Sequence, residues 1–247
     1  MKTGKEQLFK RLNDRFVRAF ATYRLLEDDD YVLVGLSGGK DSLLLTELLA
    51  KRARIDHPRF RVAAVHVRME NISYETSADY LQQFCSSLDV PFHLVTTRFD
   101  DVPDTAASVK PKPPCFLCSW HRRKQLFNLA QQLGCNKIAL GHHRDDIIHT
   151  TLMNLTFQGR FDTMPALLRM RKMPLTIIRP LCLIDEADIR RYAELCGYQK
   201  LVKLCPHERD TNRAAIAEIY NRIEQMNPEA RFSIWRALEQ EGKLTNE

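Results

Sequence analysis

Residues 37–42, with the sequence SGGKDS, join an apolar run to an apolar helical pattern and constrain the fold more than any other feature of the chain. Residues 31–36 before them form a typical buried strand, and the leucines after them recur at helical spacing. A strand, a glycine-rich turn and a helix start together present free N–H groups and the positive end of a helix dipole. We therefore predict a phosphate-binding loop made of Ser37, Gly38, Gly39, Lys40, Asp41 and Ser42.

Each residue type in the loop suits an anionic ligand. Gly38 and Gly39 let the backbone curl and approach an anion without a Cβ between them. Lys40 adds a full positive charge, and Asp41 is suited to hold Mg²⁺ on the phosphates. The alternative is a plain turn between a strand and a helix, with Asp41 favoured near the helix start.

The spacing of the loop residues excludes two common nucleotide motifs. A Walker A loop requires G-x-x-x-x-G-K-[ST], and a dinucleotide fold requires G-x-G-x-x-G; neither pattern is present. The loop resembles the PP-loop, S-G-G-x-D-S, of the ATP pyrophosphatases. That resemblance implies cleavage of ATP between its α and β phosphates, with AMP used to activate a carbonyl oxygen.

Strand and helix patterns alternate along most of the chain. We expect strands at 31–36, 61–67, 91–96, 137–140 and 176–178, and helices at 5–26, 41–53, 74–89, 118–133, from about 145, 185–196, 211–225 and 229–241. A proline-rich loop is expected at 100–114 and an irregular basic segment at 158–174. This order predicts an α/β fold with a doubly wound, mostly parallel sheet and helices on both faces.

The same patterns suggest three parts of the chain. We expect an N-terminal helix at 1–28, a PP-loop domain with an inserted C-x-x-C at 29–183, and a helical region with a further cysteine at 184–247. No apolar stretch approaches the length of a membrane span, and the first residues lack an apolar signal core. These features favour a cytoplasmic protein without membrane contact.

The net charge of +6 is weak support for an anionic partner such as RNA. Several basic side chains lie on one side of the N-terminal helix pattern, namely Lys5, Lys10, Arg11, Arg15 and Arg18. They form either a solvated face or an RNA contact. Two further candidate patches are Arg122, Arg123 and Lys124, and then Arg160, Arg169, Arg171 and Lys172; for both, a solvated surface is the alternative.

A second polar motif, GHHRDD at residues 141–146, follows another predicted strand. Ligands of parallel sheets bind at the carboxyl ends of strands, so this motif and the phosphate loop are expected to meet. Gly141 would let a nucleoside lie against the backbone, and Asp145 or Asp146 could share Mg²⁺ with Asp41. A helix cap with surface histidines is the alternative, and a zinc site is weaker because adjacent histidines do not easily face one metal.

The seven cysteines fall into two groups. Disulfides are not expected in a cytoplasmic protein, and Cys85, Cys135, Cys182 and Cys196 lie in apolar surroundings typical of packing residues. Cys115 and Cys118 form a C-x-x-C, and Cys205 lies 87 residues further on. Three such thiolates can hold zinc with His121 or His207, or a [4Fe–4S] cluster, or include a redox pair. Spacing alone favours zinc.

The order of these motifs is more specific than any one of them. The chain resembles the TtcA family, which makes 2-thiocytidine at position 32 of tRNA, in carrying residues 37–42, Cys115-x-x-Cys118, residues 141–146, the sequence IRPL at 178–181 and the lone Cys205 in the same order. The resemblance extends over roughly residues 5–227. Many members have a second C-x-x-C at the third cysteine, whereas this chain has Val202 there. The given chain is also shorter at both ends than many members of the family.

The resemblance implies a site and a reaction. Cys115, Cys118 and Cys205 would ligate a [4Fe–4S] cluster with one iron open to the sulfide. Mg²⁺ would lie on Asp41 and Asp146, and ATP would be held by the loop together with His66, Gly141 and Asp146. Lys40 and Asp41 would act in catalysis with the three cysteines. The partners implied are tRNA, a sulfur donor such as a cysteine desulfurase, and a second copy in a homodimer.

Two alternatives from other classes stay open. A lysidine synthetase would adenylate cytidine as well, but it would attach lysine and has no need of three cysteines. A zinc-stapled RNA-binding protein with a degenerate ATP site would explain the cysteines, but it leaves the intact phosphate loop without a purpose.

Overall fold

Seven strands form the main sheet of the fold. The computed structural model describes residues 4–70, 72–74, 77–98, 114–204 and 212–246. The strands of this sheet are β1 (Tyr31–Gly35), β2 (Arg61–Met69), β4 (Phe92–Thr97), β5 (Lys137–Ala139), β6 (Leu167–Arg169), β7 (Thr176–Ile178) and β9 (Thr245–Asn246). A separate pair joins β3 (Ser73–Tyr74) to β8 (Lys203–Leu204) in antiparallel register.

The strand order is β4-β2-β1-β5-β7-β6-β9, and only the β6–β7 pair is antiparallel. The chain builds outwards from β1 to β2 and β4, then returns to place β5 on the other side of β1. That reversal creates a crevice at the carboxyl ends of β1 and β5, which is where parallel sheets bind ligands. The two polar sequence motifs follow these two strands.

Eight helices accompany the strands in the described part of the chain. They are α1 (Gly4–Tyr23), α2 (Lys40–Arg52), α3 (Asp79–Ser87), α4 (Pro114–Leu133), α5 (Arg144–Gln158), α6 (Glu186–Cys196), α7 (Asn212–Met226) and α8 (Ala230–Gln240). None of the helices described is long and apolar enough to cross a membrane.

Alternate residues of the central strands pack into two different cores. Val32 and Val34 of β1 join the larger core with the leucines of α2, whereas Leu33 joins a smaller core with Leu126 and Ala130 of α4. Successive side chains of a strand point to opposite faces, so each face of the sheet is covered by helices. The predicted α/β fold, doubly wound with helices on both faces, is confirmed.

Three local predictions were wrong. The helix predicted at 74–89 is shorter, because Ser73–Tyr74 pairs with Lys203–Leu204 and α3 begins only at Asp79. The segment 158–174 is not wholly irregular, because Leu167–Arg169 forms an edge pair with β7. Helix α4 begins four residues earlier than expected, at Pro114, a residue type that suits the first helical position.

Helix α1 docks onto α6 through charge pairs as well as apolar contacts. Arg15 Nη1 lies 2.6 Å from Asp185 Oδ2 and 3.3 Å from Asp188 Oδ2, and Arg11 also pairs with Asp188. The basic face of α1 is therefore neither simply solvated nor free as a whole for RNA. Two of its arginines link α1 to α6 in the second half of the chain. The predicted division of the chain into parts at 1–28, 29–183 and 184–247 stays a prediction.

Candidate functional site

The loop at 37–42 forms the start of α2, as the glycine-rich turn indicated. Gly39 is the residue before the first helical turn, and Ser42 Oγ donates to the Gly39 carbonyl oxygen at 2.9 Å. Ser37 Oγ lies 3.1 Å from Ser42 Oγ. Gly38 has a φ of +84°, a left-handed conformation that favours glycine. The hydroxyls and the helix N-terminus thus form a compact cradle suited to phosphate oxygens.

The segment after α6 closes one side of this cradle. The Leu201 N–H donates to the Gly38 carbonyl oxygen at 3.0 Å. A Cβ on Gly38 would lie 2.5 Å from Leu201 Cβ, which real structures essentially never show. Gly38 is thus required both by its conformation and by the chain that packs on it.

Lys40 lies between two carboxylates. Its Nζ is 3.1 Å from Asp41 Oδ1 and 3.0 Å from Glu186 Oε1 at the start of α6. Burial alone would lower the pKa of Lys40, but Asp41 and Glu186 outweigh it and raise the pKa above its ordinary value. The ammonium group therefore stays charged at neutral pH.

Gly141 brings the second motif against the phosphate loop. A Cβ there would lie 3.1 Å from both the Asp41 carbonyl carbon and the Ser42 nitrogen. These neighbours are backbone atoms at the start of α2 and cannot turn away as a flexible side chain can. Gly141 therefore permits the close approach of the two strand ends, and the nucleoside contact predicted from sequence stays a prediction.

His143 connects the two motifs. It caps α5, because its backbone N–H donates to Asp146 Oδ2 at 3.1 Å and its Nδ1 accepts from the Asp146 N–H at 3.4 Å. Its Nε2 lies 3.9 Å from Asp41 Oδ1 and 3.4 Å from Asp146 Oδ2. Burial favours the neutral ring, but the carboxylates of Asp145, Asp146 and Asp41 raise the pKa of His143. The motif is thus a helix cap that also lies next to the phosphate loop, but His143 is buried, so the alternative of a cap with surface histidines is wrong for this residue.

The two aspartates of the motif differ in their surroundings. Asp145 is buried, with Oδ2 accepting from the Glu186 N–H at 2.8 Å and Oδ1 lying 3.2 Å from Arg231 Nη2. Burial opposes its ionisation, yet these partners and His143 hold the pKa of Asp145 well below its ordinary range. Asp146 faces His143 and pairs with Arg213 of α7 at 2.9 Å.

Two further histidines lie beside the site. His66 is buried, and its Nδ1 hydrogen-bonds the Leu36 carbonyl oxygen at 2.8 Å, directly before the phosphate loop. His142 Nδ1 accepts from Arg179 Nε at 3.2 Å, and burial together with Arg179 lowers the pKa of His142 to about 4. His142 is therefore neutral at physiological pH, whereas His66 supports the strand end from which the loop departs.

Asp41 has the features of a ligand for a divalent cation. Its Oδ1 is buried and accepts no hydrogen bond of good geometry from the described residues, although Lys40 Nζ is near. No group of three His, Cys, Asp or Glu side chains in the described ranges could hold a metal by itself. Mg²⁺ bound to a nucleotide needs only one or two protein carboxylates, with phosphates and waters completing its coordination. The donor set fits such a shared ion.

Cys115 and Cys118 lie in the first turn of α4, with Cys115 exposed and Cys118 half-buried. Residues three apart share one face of a helix, so two thiolates there can reach one metal or cluster. Gln125 of α4 hydrogen-bonds Thr97, the last residue of β4, at 3.3 Å. Because a helix rises 1.5 Å per residue, Cys118 and Cys115 lie about 10 and 15 Å from Gln125 along the axis of α4. Cys205 and His207 lie outside the described residues.

The other cysteines divide as predicted, with one exception. Cys85, Cys135 and Cys182 are buried, and burial raises the pKa of the Cys85 and Cys182 thiols to about 12 and that of Cys135 to about 11. Cys196 is only half-buried. Buried thiols of this kind behave as small apolar side chains.

The two candidate basic patches are exposed to different degrees. Arg123 and Lys124 are exposed on α4, and Lys124 Nζ lies 5.4 Å from the centre of the Trp120 ring. Arg122 is only half-buried. Arg123 is also near enough to Arg179 to help burial lower the pKa of Arg179 to about 10. The four residues of the second patch, Arg160, Arg169, Arg171 and Lys172, are all exposed.

Sequence reasoning missed Glu186, Arg213 and Arg231 as residues of this region. Each lies far along the chain from the motif that it contacts and belongs to an ordinary amphipathic helix. The one available signal was Asp185-Glu186 at a predicted helix start, where carboxylates are common for reasons of capping alone.

Comparison with known proteins agrees with this geometry. A family model described as a PP-loop domain matches residues 7–214. Among relatives named tRNA-cytidine(32) 2-sulfurtransferase, one from Alkalilimnicola ehrlichii is 35% identical over 242 residues, covering 97% of this chain and 76% of the relative. One from Bordetella avium is 35% identical over 233 residues, covering 94% of this chain and 73% of the relative.

A solved structure extends the comparison to three dimensions. The U34-tRNA thiolase NcsA from Methanococcus maripaludis, solved with its [4Fe-4S] cluster, matches with a TM-score of 0.74 and 25% identity. The match covers 96% of this chain and 79% of that one. The chain therefore belongs to the PP-loop family and, within it, to the TtcA family of tRNA-cytidine(32) 2-sulfurtransferases.

Proposed function

We propose that this protein is an ATP-dependent tRNA thiolase that replaces the C2 oxygen of a cytidine, at position 32, with sulfur. AMP and pyrophosphate are the other products. The observation that carries the proposal is the meeting of the phosphate loop and the second motif at the carboxyl ends of β1 and β5, where Gly141 packs on the backbone of Asp41 and Ser42. Relatives with the named activity and a thiolase with the same fold support the substrate class.

The first step activates the base. The cytidine O2 attacks the α-phosphate of ATP, the bond between the α and β phosphates breaks, and pyrophosphate leaves. We assign the pyrophosphate to Ser37, Gly38, Gly39 and Ser42 with the free N–H groups of α2, and the developing negative charge to Lys40. We assign His66, Gly141 and Asp146 to the surroundings of the nucleotide.

A magnesium ion fits beside Asp41, whose Oδ1 is buried without a good hydrogen bond, and Asp146 is the second candidate carboxylate. When bound there, Mg²⁺ neutralises charge on the phosphates. Asp145 is the less suitable ligand, because it is the more buried of the two and its oxygens hold Arg231 and the start of α6. Asp146 would have to exchange its ion pair with Arg213 for the magnesium ion.

A [4Fe–4S] cluster fits the thiols of the exposed Cys115 and the half-buried Cys118 at the start of α4, with Cys205 as the proposed third ligand. When bound, the cluster would hold a sulfide from an external donor, and this sulfide would replace the oxygen of the activated base. The oxygen leaves with the AMP, so every atom of the exchange is accounted for. Lys40 and Asp41 act on the ATP, and the three cysteines act on the sulfur.

The tRNA must present its base to both groups. A base inside a stem or stacked loop is out of reach, so the target cytidine is expected to leave the stack. Arg122, Arg123 and Lys124 follow the cysteine turn and are suited to hold phosphates of the RNA, with the patch around Arg169 as a second contact. A cysteine desulfurase as sulfur donor, a homodimer and a cytoplasmic location complete the proposal and rest on family resemblance.

Anaerobic purification distinguishes this proposal from the two alternatives. A brown protein that absorbs near 400 nm, and that loses this absorbance in Cys115→Ala but not in Cys196→Ala, is the expected result. A colourless protein with one tightly bound zinc contradicts sulfur transfer and favours a zinc-stapled RNA-binding protein. A colourless, metal-free protein that attaches lysine to cytidine favours a lysidine synthetase.

The phosphate loop has a separate test. Asp41→Ala removes the carboxylate proposed for Mg²⁺, so pyrophosphate release from ATP in the presence of tRNA is expected to stop. Asp14→Ala, on the exposed side of α1, is a matched control and keeps full release. Pyrophosphate release at the wild-type rate in Asp41→Ala contradicts the assignment of the loop.

A further inference from the structure

The carboxylate of Glu186 forms an ion pair with Lys40 of the phosphate loop. Lys40 Nζ is 3.0 Å from Glu186 Oε1. The two residues are far apart in the sequence and meet because α2 packs against α6. Both side chains are partly exposed, at 27% for Lys40 and 34% for Glu186. We propose that Glu186 is a positioning residue: it is the counter-ion of Lys40 that the phosphates of ATP displace. This inference rests on the proposed function.

The backbone of Glu186 is fixed while its carboxylate can change partners. Its N–H donates to the buried Asp145 Oδ2 at 2.8 Å, which ties the start of α6 to the second motif. Its Oε1 also accepts from Arg190 Nη2, one helical turn further on, at 3.2 Å. When Lys40 turns to a phosphate, the Glu186 carboxylate therefore keeps a cation within reach. An exchange of partners needs no movement of the helix.

Charge balance gives this exchange a consequence for affinity. In the described structure Asp41 and Glu186 place two negative charges on the single ammonium of Lys40. An arriving phosphate must compete with Glu186 for Lys40, whereas the proposed Mg²⁺ would bind the Asp41 carboxylate and offset its charge. Loss of the Glu186 charge should make ATP and pyrophosphate bind more tightly, and pyrophosphate should leave more slowly. Glu186 would thus promote release of the first product.

The test is equilibrium binding of magnesium pyrophosphate by calorimetry, with Glu186→Gln compared with the wild-type protein. We expect the Kd to fall about two- to fivefold, the ratio that corresponds to a partly exposed ion pair. Glu194→Gln removes the same charge from an exposed position of α6 and should leave the Kd unchanged. Glu186→Ala also removes the charge but introduces no side-chain amide at the start of α6, so it should lower the Kd as well. Thermal melting checks that each variant is folded.

A double variant separates competition for Lys40 from simple repulsion of phosphate. In the Lys40→Met background, Glu186→Gln should increase affinity less than it does in the wild-type background. An equal gain in both backgrounds, or an unchanged or higher Kd in Glu186→Gln and Glu186→Ala, overturns the inference. Failure of the proposed function is a different result, namely wild-type protein that binds neither magnesium pyrophosphate nor ATP.

Discussion

At the scale of single residues, the site depends on glycines that permit contacts rather than make them. Gly141 is the clearest case, because its missing Cβ leaves room for the backbone of Asp41 and Ser42. Sequence reasoning identified Gly141 as a site residue but assigned it to a nucleoside. The reason for the glycine is visible only once the ends of β1 and β5 are neighbours.

Gly141→Ala should therefore damage the loop without touching any charged group. A Cβ 3.1 Å from backbone atoms forces a shift of the α2 start, and such overpacking costs about 1–3 kcal/mol of unfolding free energy. Urea unfolding and calorimetry with ATP should show both the loss of stability and a weaker ATP affinity. Gly4→Ala, where a Cβ meets nothing within 4 Å, is the control. Unchanged ATP affinity in Gly141→Ala would show that the close approach is not needed.

The cysteines allow a second prediction at this scale, based on their pKa values. Burial raises the pKa of the Cys85 and Cys182 thiols to about 12, and a raised pKa keeps a thiol protonated. At pH 8 only about one in ten thousand of these thiols is thiolate, the form that reacts. In cluster-free protein, iodoacetamide should therefore label Cys115 and Cys118 before Cys85 and Cys182.

Peptide mass spectrometry over time measures this order. The control is the same reaction in urea, where all cysteines should react at similar rates. Native protein in which Cys85 or Cys182 is labelled as fast as Cys115 contradicts the assignment of those thiols to the core.

At the scale of elements, the two motifs of the site are encoded by local sequence patterns, whereas the ion pairs that hold the surrounding helices are not. The strand, turn and helix around residues 37–42 and the strand end at 141–146 are encoded within short windows, so the sequence was sufficient to predict them. Arg15, Glu186 and Arg231 act across more than a hundred residues or several helices. No periodicity encodes such pairs, and the strand pairs of Ser73–Tyr74 and Leu167–Arg169 were missed for the same reason.

The contact between α1 and α6 gives a prediction at this scale. Arg15→Ala removes a guanidinium held by Asp185 and Asp188, so we expect unfolding free energy to fall by about 1 kcal/mol, the upper end for partly exposed pairs. Urea unfolding followed by circular dichroism measures the loss. Arg18→Ala, at an exposed position of the same helix, should stay within about 0.5 kcal/mol of wild type. Equal stability of the two variants would mean that the ion pairs do not hold α1 in place.

At the scale of the whole molecule, the topology supports the proposal that one chain joins ATP chemistry to sulfur chemistry. The phosphate loop and the second motif lie at the crevice between β1 and β5, while α4 carries Cys115 and Cys118 at its N-terminal end and contacts the last residue of β4 through Gln125. The doubly wound sheet was predictable from alternating strands and helices. The role of the cysteines stays a prediction, because their spacing alone favours zinc and only the order of motifs along the chain indicates a thiolase.

The most direct test of the central claim is mass spectrometry of nucleosides from tRNA incubated anaerobically with the cluster-loaded protein, Mg·ATP and sulfide. We predict 2-thiocytidine at position 32, with one AMP and one pyrophosphate formed for each sulfur incorporated, and none of it with Cys118→Ala. Pyrophosphate release without 2-thiocytidine, or a cytidine that carries lysine instead of sulfur, would contradict the account.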